Sequence, residues 1–169
     1  MLEILVYGSP VLRKKAVPVE IFDETLQHFV DEMIESMMSA DGVGLAAPQV
    51  GRSLQLAVID VTVGKEPPLV LINPQITFLS KETEEREEGC LSVPDINVKI
   101  VRPSIVSVAY LTATGEKKSI EKAEGLLARA IQHEHDHLNG LMIIDHISML
   151  QRSMLKNKLK KLAESSSRA

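Results

Sequence analysis

One cysteine in a chain of 169 residues cannot form an intramolecular disulfide, which excludes a small secreted scaffold held by bridges. Tryptophan is absent and aromatics make up only 3%, so the core must be aliphatic and a platform of rings for stacking bases is not expected. No stretch approaches the roughly 18 apolar residues that a membrane-spanning helix needs. Positive charge is not in excess either: 19 Lys and Arg stand against 23 Asp and Glu, a net −4, so direct binding to nucleic acid is not expected. The opening stretch MLEILVYGSPVLRKKA lacks a positive leading region, and its apolar run ends at Gly8-Ser9-Pro10. No targeting segment is expected from it, and the expected compartment is the cytoplasm. What is present is ordinary for a globular protein, with 44% apolar and 25% charged residues. At roughly 150 residues per domain, a single domain over residues 1–164 is expected, with 165–169 a frayed tail.

The patterning places helices early and late with strands between them. Residues 23–40 read as a helix, with Leu26, Phe29, Val30, Met33, Ile34 and Met37 at helical spacing and Asp23 as N-cap. Residues 54–61 alternate like a strand, and 69–78 form an apolar run broken at Asn73-Pro74. The Glu-rich stretch 82–88 reads as a solvated edge. Residues 99–110 and 117–120 read as strands around a turn at Thr114-Gly115. Residues 124–138 read as a helix stopped by Asn139-Gly140. A last helix over 148–164 would place Met154, Leu155, Leu159 and Leu162 on one side. Strands that do not alternate with helices imply an α+β fold.

Three of the five histidines fall in His133-Glu134-His135-Asp136-His137. A helix advances about 100° per residue, so His133 and His137 share one face about a turn apart, where two imidazoles can hold one metal ion. Glu134 lies off that face, able to reach a water on the metal without being a ligand. His135 faces away. The neighbours Leu126, Leu127, Ala130, Ile131 and Leu138 make the helix apolar, and burying His133, Glu134 and His137 without partners would be costly. The only thiol, Cys90, is the candidate third ligand, which would give an open, catalytic donor set. On spacing alone it is equally a small buried hydrophobe or a nucleophile. The run from Gly42 to Gly51 lacks the Gly-Lys-Ser/Thr of a phosphate loop, but its small residues would let backbone approach a ligand, with Gln49 as an amide donor.

Together, GVGLAAPQ (42–49), EGCLS (88–92) and QHEHDHLNG (132–140) resemble the three motifs of peptide deformylase, in order and spacing. YGSPVLRKKAVPV near the start is similar too. The resemblance implies antiparallel β-sheets packed around a central metal-binding helix, with an N-terminal and a C-terminal helix. It implies removal of the formyl group from N-formylmethionyl nascent peptides, releasing formate. It implies Cys90, His133 and His137 as ligands of one divalent metal, physiologically Fe2+ and in preparations often Zn2+, Ni2+ or Co2+. Glu134 would be the general base and acid, and Gln49 and the Leu91 N–H would face the formyl oxygen. Peptide could add as a strand, with Val43 and Gly44 making main-chain contacts.

Arg129, Arg86 and Asn97 depart from patterns common in that family, and they bear on the side-chain pocket and peptide preference, not on the metal chemistry. Asp136 beside His137 needs a cation if buried, and the resemblance suggests Arg102. Residues 151–169 carry six Lys or Arg against one Glu; this reads first as a solvated face and second as a surface for ribosome docking. Two other readings compete. A zinc peptidase of the HExxH type would need a downstream ligand, and His146 is at no justifiable spacing. A non-catalytic metal-stabilised binding module would need every coordination position filled by protein.

Overall fold

The computed structural model describes residues 1–167. After a short 3-10 turn at Pro10–Arg13, helix α1 spans Glu24–Ser39. Asp23 caps it by accepting from the Leu26 N–H at 2.9 Å, as its sequence predicts. Strands β1 (Gly44–Ala46), β2 (Leu56–Ile59) and β3 (Leu69–Leu79) follow, then β4 (Thr83–Cys90) and β5 (Val93–Pro103), then β6 (Ile105–Leu111) and β7 (Lys117–Glu124). Helix α2 covers Gly125–Leu138, and α3 (Met149–Met154) and α4 (Lys156–Ser166) close the chain. No helix among the described residues is long and apolar enough to cross a membrane.

Five strands form one antiparallel sheet in the order β1-β2-β3-β6-β7, and β4 and β5 form a separate two-stranded hairpin. The sheet is covered on both faces. Val58 and Ile72 pack with Val30, Met33 and Met37 of α1, while their chain neighbours Ile59 and Leu71 pack with Ala128 and Ile131 of α2. Side chains alternate across a strand, so the two helices lie on opposite faces. This explains why β2 is buried at every position. The hairpin has its own core: Val93, Ile96, Val98 and Ile100 pack with Leu12, Met142, Ile143 and Leu159. The expected α+β fold, with antiparallel sheets around a central helix, is what forms.

Four sequence expectations need correction. Asn73-Pro74 does not break β3; the strand absorbs it as a register shift between Ile72 and Gln75, and the Asn73 amide bonds both Val19 N and Val19 O. Residues 99–110 are not one strand: Pro103 cannot donate to a ladder, and beyond it the chain crosses from the hairpin to the large sheet at Ser104. The strand expected over 54–61 is shorter, Leu56–Ile59. The last helix is two helices separated at Leu155, and Met154 is 78% exposed while Leu159 is buried. The tail expected at 165–169 overlaps the last turn of α4, which runs through Ser166, and its end at 168–169 lies outside the described residues.

Helix α2 stops where the sequence places the stop, with Gly140 left-handed at φ 76°. A Cβ there would stand 2.6 Å from the backbone oxygen of Arg13. Gly140→Ala therefore combines an unfavourable φ with a clash against main chain. It should lower unfolding free energy by about 1–3 kcal/mol, read as a lower midpoint in urea.

Candidate metal centre

Helix α2 packs against β1 and bonds both hairpin strands through Arg129, and two of its histidines, His133 and His137, come together with Cys90 of the hairpin. The rings of His133 and His137 lie 5.0 Å apart between centroids. Cys90, at the end of β4, brings its Sγ to 3.3 Å from His137 Nε2. One donor atom from each of Cys90, His133 and His137 falls within 4.8 Å of the others. A thiolate and two imidazoles at that separation are a donor set for a divalent transition metal with one position left open.

Two buried polar atoms have no hydrogen-bond partner among the described residues, Glu134 Oε2 and His137 Nδ1. Glu134 Oε2 adjoins the trio, where a metal and its water would sit, whereas His137 Nδ1 is the ring nitrogen turned away from the Nε2 that meets Cys90. Burial opposes the ionised Cys90 thiol, but the charge of His137 and the hydrogen bond to His133 draw its pKa down to about 5. Burial likewise opposes a charged His133, and its bonds to Cys90 and Glu88 overcome this, holding its pKa well above the ordinary value. A divalent cation would displace the proton that these groups share. The residues fit the metal that the sequence implies.

The support beneath the ligands is a buried network. Glu88 is 7% exposed, not part of a solvated edge. Its carboxylate accepts from Arg102 Nε at 2.6 Å and Nη2 at 3.0 Å, and from Arg129 Nη1 at 2.7 Å. Glu88 Oε2 also lies 3.0 Å from His133 Nδ1, fixing that ring so that Nε2 is the nitrogen left for a metal. Arg102 Nη1 reaches Asp136 at 2.8 Å, the ion pair expected from the sequence. His146 contacts the same Asp136 oxygen at 2.7 Å, so it braces the network and is not a ligand. Arg129 is buried and also bonds the Ile100 and Glu84 carbonyls, tying both hairpin strands to α2.

Above the ligands lies a cleft of about 460 Å³. Val43, Gly44, Gln49, Cys90, Leu91, His133 and Glu134 all line it, so the residues singled out in the sequence converge. Leu126 is 46% exposed at its edge, unlike the buried Ala130, Ile131 and Leu138 of the same helix. Gln49 is 1% exposed, fixed by Ala46 N–H donating to its Oε1 at 2.9 Å and by its Nε2 donating to Ser92 Oγ at 3.1 Å. A Cβ on Gly44 would overlap the Glu134 carboxylate, so only glycine lets β1 pass this close. Composition alone makes the acidic run look solvated; strand alternation is the signal that puts Glu88 on the same face as Cys90 two residues on.

The polypeptide deformylase family profile matches residues 1–153. The chain belongs to the peptide deformylase family. It is 50% identical over 163 residues to the peptide deformylase of Thermotoga maritima, covering 96% of this chain and 97% of the relative. The Brucella suis peptide deformylase is 46% identical over 162 residues, 95% of this chain and 92% of that one. A peptide deformylase crystal structure from Legionella pneumophila superposes with a TM-score of 0.91 at 44% identity, covering 100% of this chain and 99% of that one. The deformylase from Plasmodium falciparum gives 0.92 at 35% identity, covering 99% and 98%. The chain is thus an enzyme of the deformylase class, and nothing in these matches favours a peptidase or a binding module.

Removing one partner from a buried ionic network leaves an uncompensated charge. Arg102→Leu should cost about 3–5 kcal/mol of stability. Burial works against ionising Glu88 and Asp136, but hydrogen bonds from His133 to Glu88, from His146 to Asp136 and from Arg102 to both hold their pKa values below the usual carboxylate range. The unfolded chain therefore takes up protons first as pH falls. Their contribution is complete above about pH 5 and drains away through the acid range. Urea midpoints between pH 7 and pH 3 should fall steeply for the parent and less steeply for Arg102→Leu.

Proposed function

We propose that this chain hydrolyses the formyl group from the N-formylmethionyl end of newly made polypeptides, releasing formate, with residues 1–164 as one catalytic domain acting in the cytoplasm. The observation that carries the reading is Glu134. Its carboxylate is buried, one oxygen lacks a partner, and it lines the cleft beside the Cys90, His133 and His137 donor set. Those three side chains would hold the divalent metal, Fe2+ physiologically, with Zn2+, Ni2+ or Co2+ able to take its place in preparations. When bound, the metal supplies Lewis acidity, which makes a hydroxide-like nucleophile available near neutral pH and polarises the formyl carbonyl.

The chain's own groups then have defined tasks. Glu134 Oε2 accepts the proton from the attacking water and later delivers it to the departing amine nitrogen. Burial raises the Glu134 pKa above the ordinary carboxylate value, closer to the working pH, which suits a group that must take and return a proton. Gln49 Nε2 donates one hydrogen to Ser92 Oγ at 3.1 Å and the other to Cys90 Sγ at 3.8 Å, and it is this longer second bond that would be exchanged for one to the formyl oxygen. Gln49 and the Leu91 N–H stabilise the charge that grows on the formyl oxygen. Strand β1 pairs with β2; the Val43 carbonyl already accepts from the Asp60 N–H on that side, so the backbone contact to an extended peptide falls to Gly44, with Val43 beside it lining the cleft. A formyl carbon carries only hydrogen, and the close approach of β1 to Glu134 leaves bulkier acyl groups without room.

Four lysines of α4, Lys156, Lys158, Lys160 and Lys161, are exposed. We assign them to electrostatic docking on the ribosome, which delivers the substrate. Replacing all four by glutamine should reduce salt-sensitive co-sedimentation with ribosomes; unchanged co-sedimentation would refute the docking.

The metal-loaded protein should release formate from formyl-Met-Ala-Ser and lose this activity on chelation. Glu134→Ala should keep its metal stoichiometry yet lose about 10²–10⁴-fold in turnover, the usual worth of a positioned acid and base. Loss of the metal along with activity would show Glu134 to be a ligand. Gln49→Leu should lower kcat by about 10²–10³-fold, as for one oxyanion donor. A raised KM with kcat unchanged would instead assign Gln49 to ground-state binding.

A further inference from the structure

A second groove, of about 270 Å³, lies between strand β5 and helix α3. Val98 of the strand and Met154 and Leu155 at the end of the helix give it apolar walls. Glu87 lines this groove and the cleft above the metal ligands alike, so the two meet there. Helix α3 has no buried residue. Leu150 is 74% exposed and Met154 78%, and at a spacing of four they share one helix face. Large apolar side chains on a helix that packs none of them into the core form a surface left open beside the groove.

The position of the groove along the hairpin says what reaches it. Cys90 and Glu87 stand three places apart on β4, about 10 Å at about 3.3 Å per residue. A formyl group at the metal centre lies beside Cys90, so an extended chain that follows β4 comes level with Glu87 at about its third or fourth residue and meets the groove with the next ones. Glu87 and Lys99 stand opposite each other across the hairpin and both line the groove, one charge of each sign, so the passage favours neither. What it offers is apolar contact of adaptable shape. Methionine is unbranched and polarisable and repacks around side chains of different form, as surfaces that accept many sequences do. New polypeptides share their first residue and differ beyond it, which is the variety such a surface tolerates.

Resting on the deformylase reading above, we propose that the groove and the exposed face of α3 form an extension of the substrate site, which takes apolar residues at about the fifth to seventh positions of the formylated chain without regard to their order. The contact is remote from the reacting carbonyl and is the same before and during the chemical step, so it lowers KM and leaves kcat unchanged.

The test measures kcat and KM of the metal-loaded enzyme, without ribosomes, for formyl-Met-Ala-Ser and three heptapeptides that extend it: formyl-Met-Ala-Ser-Gly-Leu-Val-Leu, its reordered form formyl-Met-Ala-Ser-Gly-Val-Leu-Leu, and the polar formyl-Met-Ala-Ser-Gly-Ser-Thr-Ser. Both apolar heptapeptides should exceed the polar one and the tripeptide in kcat/KM by roughly three- to ten-fold, through KM, as partial burial of one or two apolar side chains gives. The gain should persist in about 1 M salt, because apolar contact is not screened. It should disappear in the double variant Leu150→Ser, Met154→Ser. Turnover of the tripeptide, which ends before the groove, should stay at the parent level there and so report a folded enzyme; if it falls, Met154→Gln alone should still remove part of the gain. Equal kcat/KM for all four peptides overturns the inference while leaving the deformylase reading intact. A gain that survives the variants, or that vanishes in salt, also overturns it, by assigning the downstream residues to other contacts. Sedimentation of the enzyme alone as a dimer that the double variant dissociates overturns it too, since a second copy then covers the face. Absence of turnover with every peptide overturns both readings.

Discussion

The carboxylate of Glu88 is the point on which the centre depends. Two guanidinium groups and an imidazole converge on it in a buried environment, so its charge is matched and its position is fixed from three directions. Such a group is costly to bury alone, and its partners are equally costly without it. The network therefore forms as a unit. Because one partner is His133, the same unit sets which imidazole nitrogen faces the metal position. Arg102 carries the constraint to Asp136 beside the second histidine, and Arg129 carries it to the backbone of both hairpin strands. The geometry of the ligands is thus a consequence of salt-bridge chemistry one layer beneath them.

The sheets serve that arrangement. The five-stranded sheet ends at β1 and the hairpin ends at β4, and neither edge is paired. Helix α2 spans the space below both. The cleft is what remains between two unpaired strand edges when a helix holds them apart, and Gly44 makes the separation short enough for Glu134 to belong to it. Exposed edges are normally liabilities. Here the β1 edge is only three residues long, and the eight-residue β4 edge is rich in charged side chains.

What could be read from the sequence follows physical locality. The His133 and His137 pair and the offset of Glu134 depend only on helical periodicity, and the Asp23 cap and the Gly140 stop only on the nearest residues. Cys90 could not be tied to the histidines by any local rule, since 47 residues separate it from His137 and the contact exists only once a hairpin packs on a helix; there the family resemblance carried the assignment. Glu88 escaped for a related reason. A run of glutamates looks solvated until strand alternation turns one member inward onto two arginines. The crossing at Ser104 was equally hidden, because both flanking segments are apolar and alternating, and only tertiary pairing assigns them to different sheets.

The hairpin core has a consequence for how the chain comes to be active. Val93, Ile96, Val98 and Ile100 are buried partly by Met142, Ile143 and Leu159, and Gly8 lies so close to α4 that a Cβ would stand 2.6 Å from Ala163 Cα. Cys90 is presented by a hairpin whose underside is closed by Leu12, by Met142 and Ile143 after α2, and by Leu159 of α4. During synthesis the histidine helix emerges before that closure is possible. A growing chain can thus own both imidazoles while the sulfur still has no fixed place.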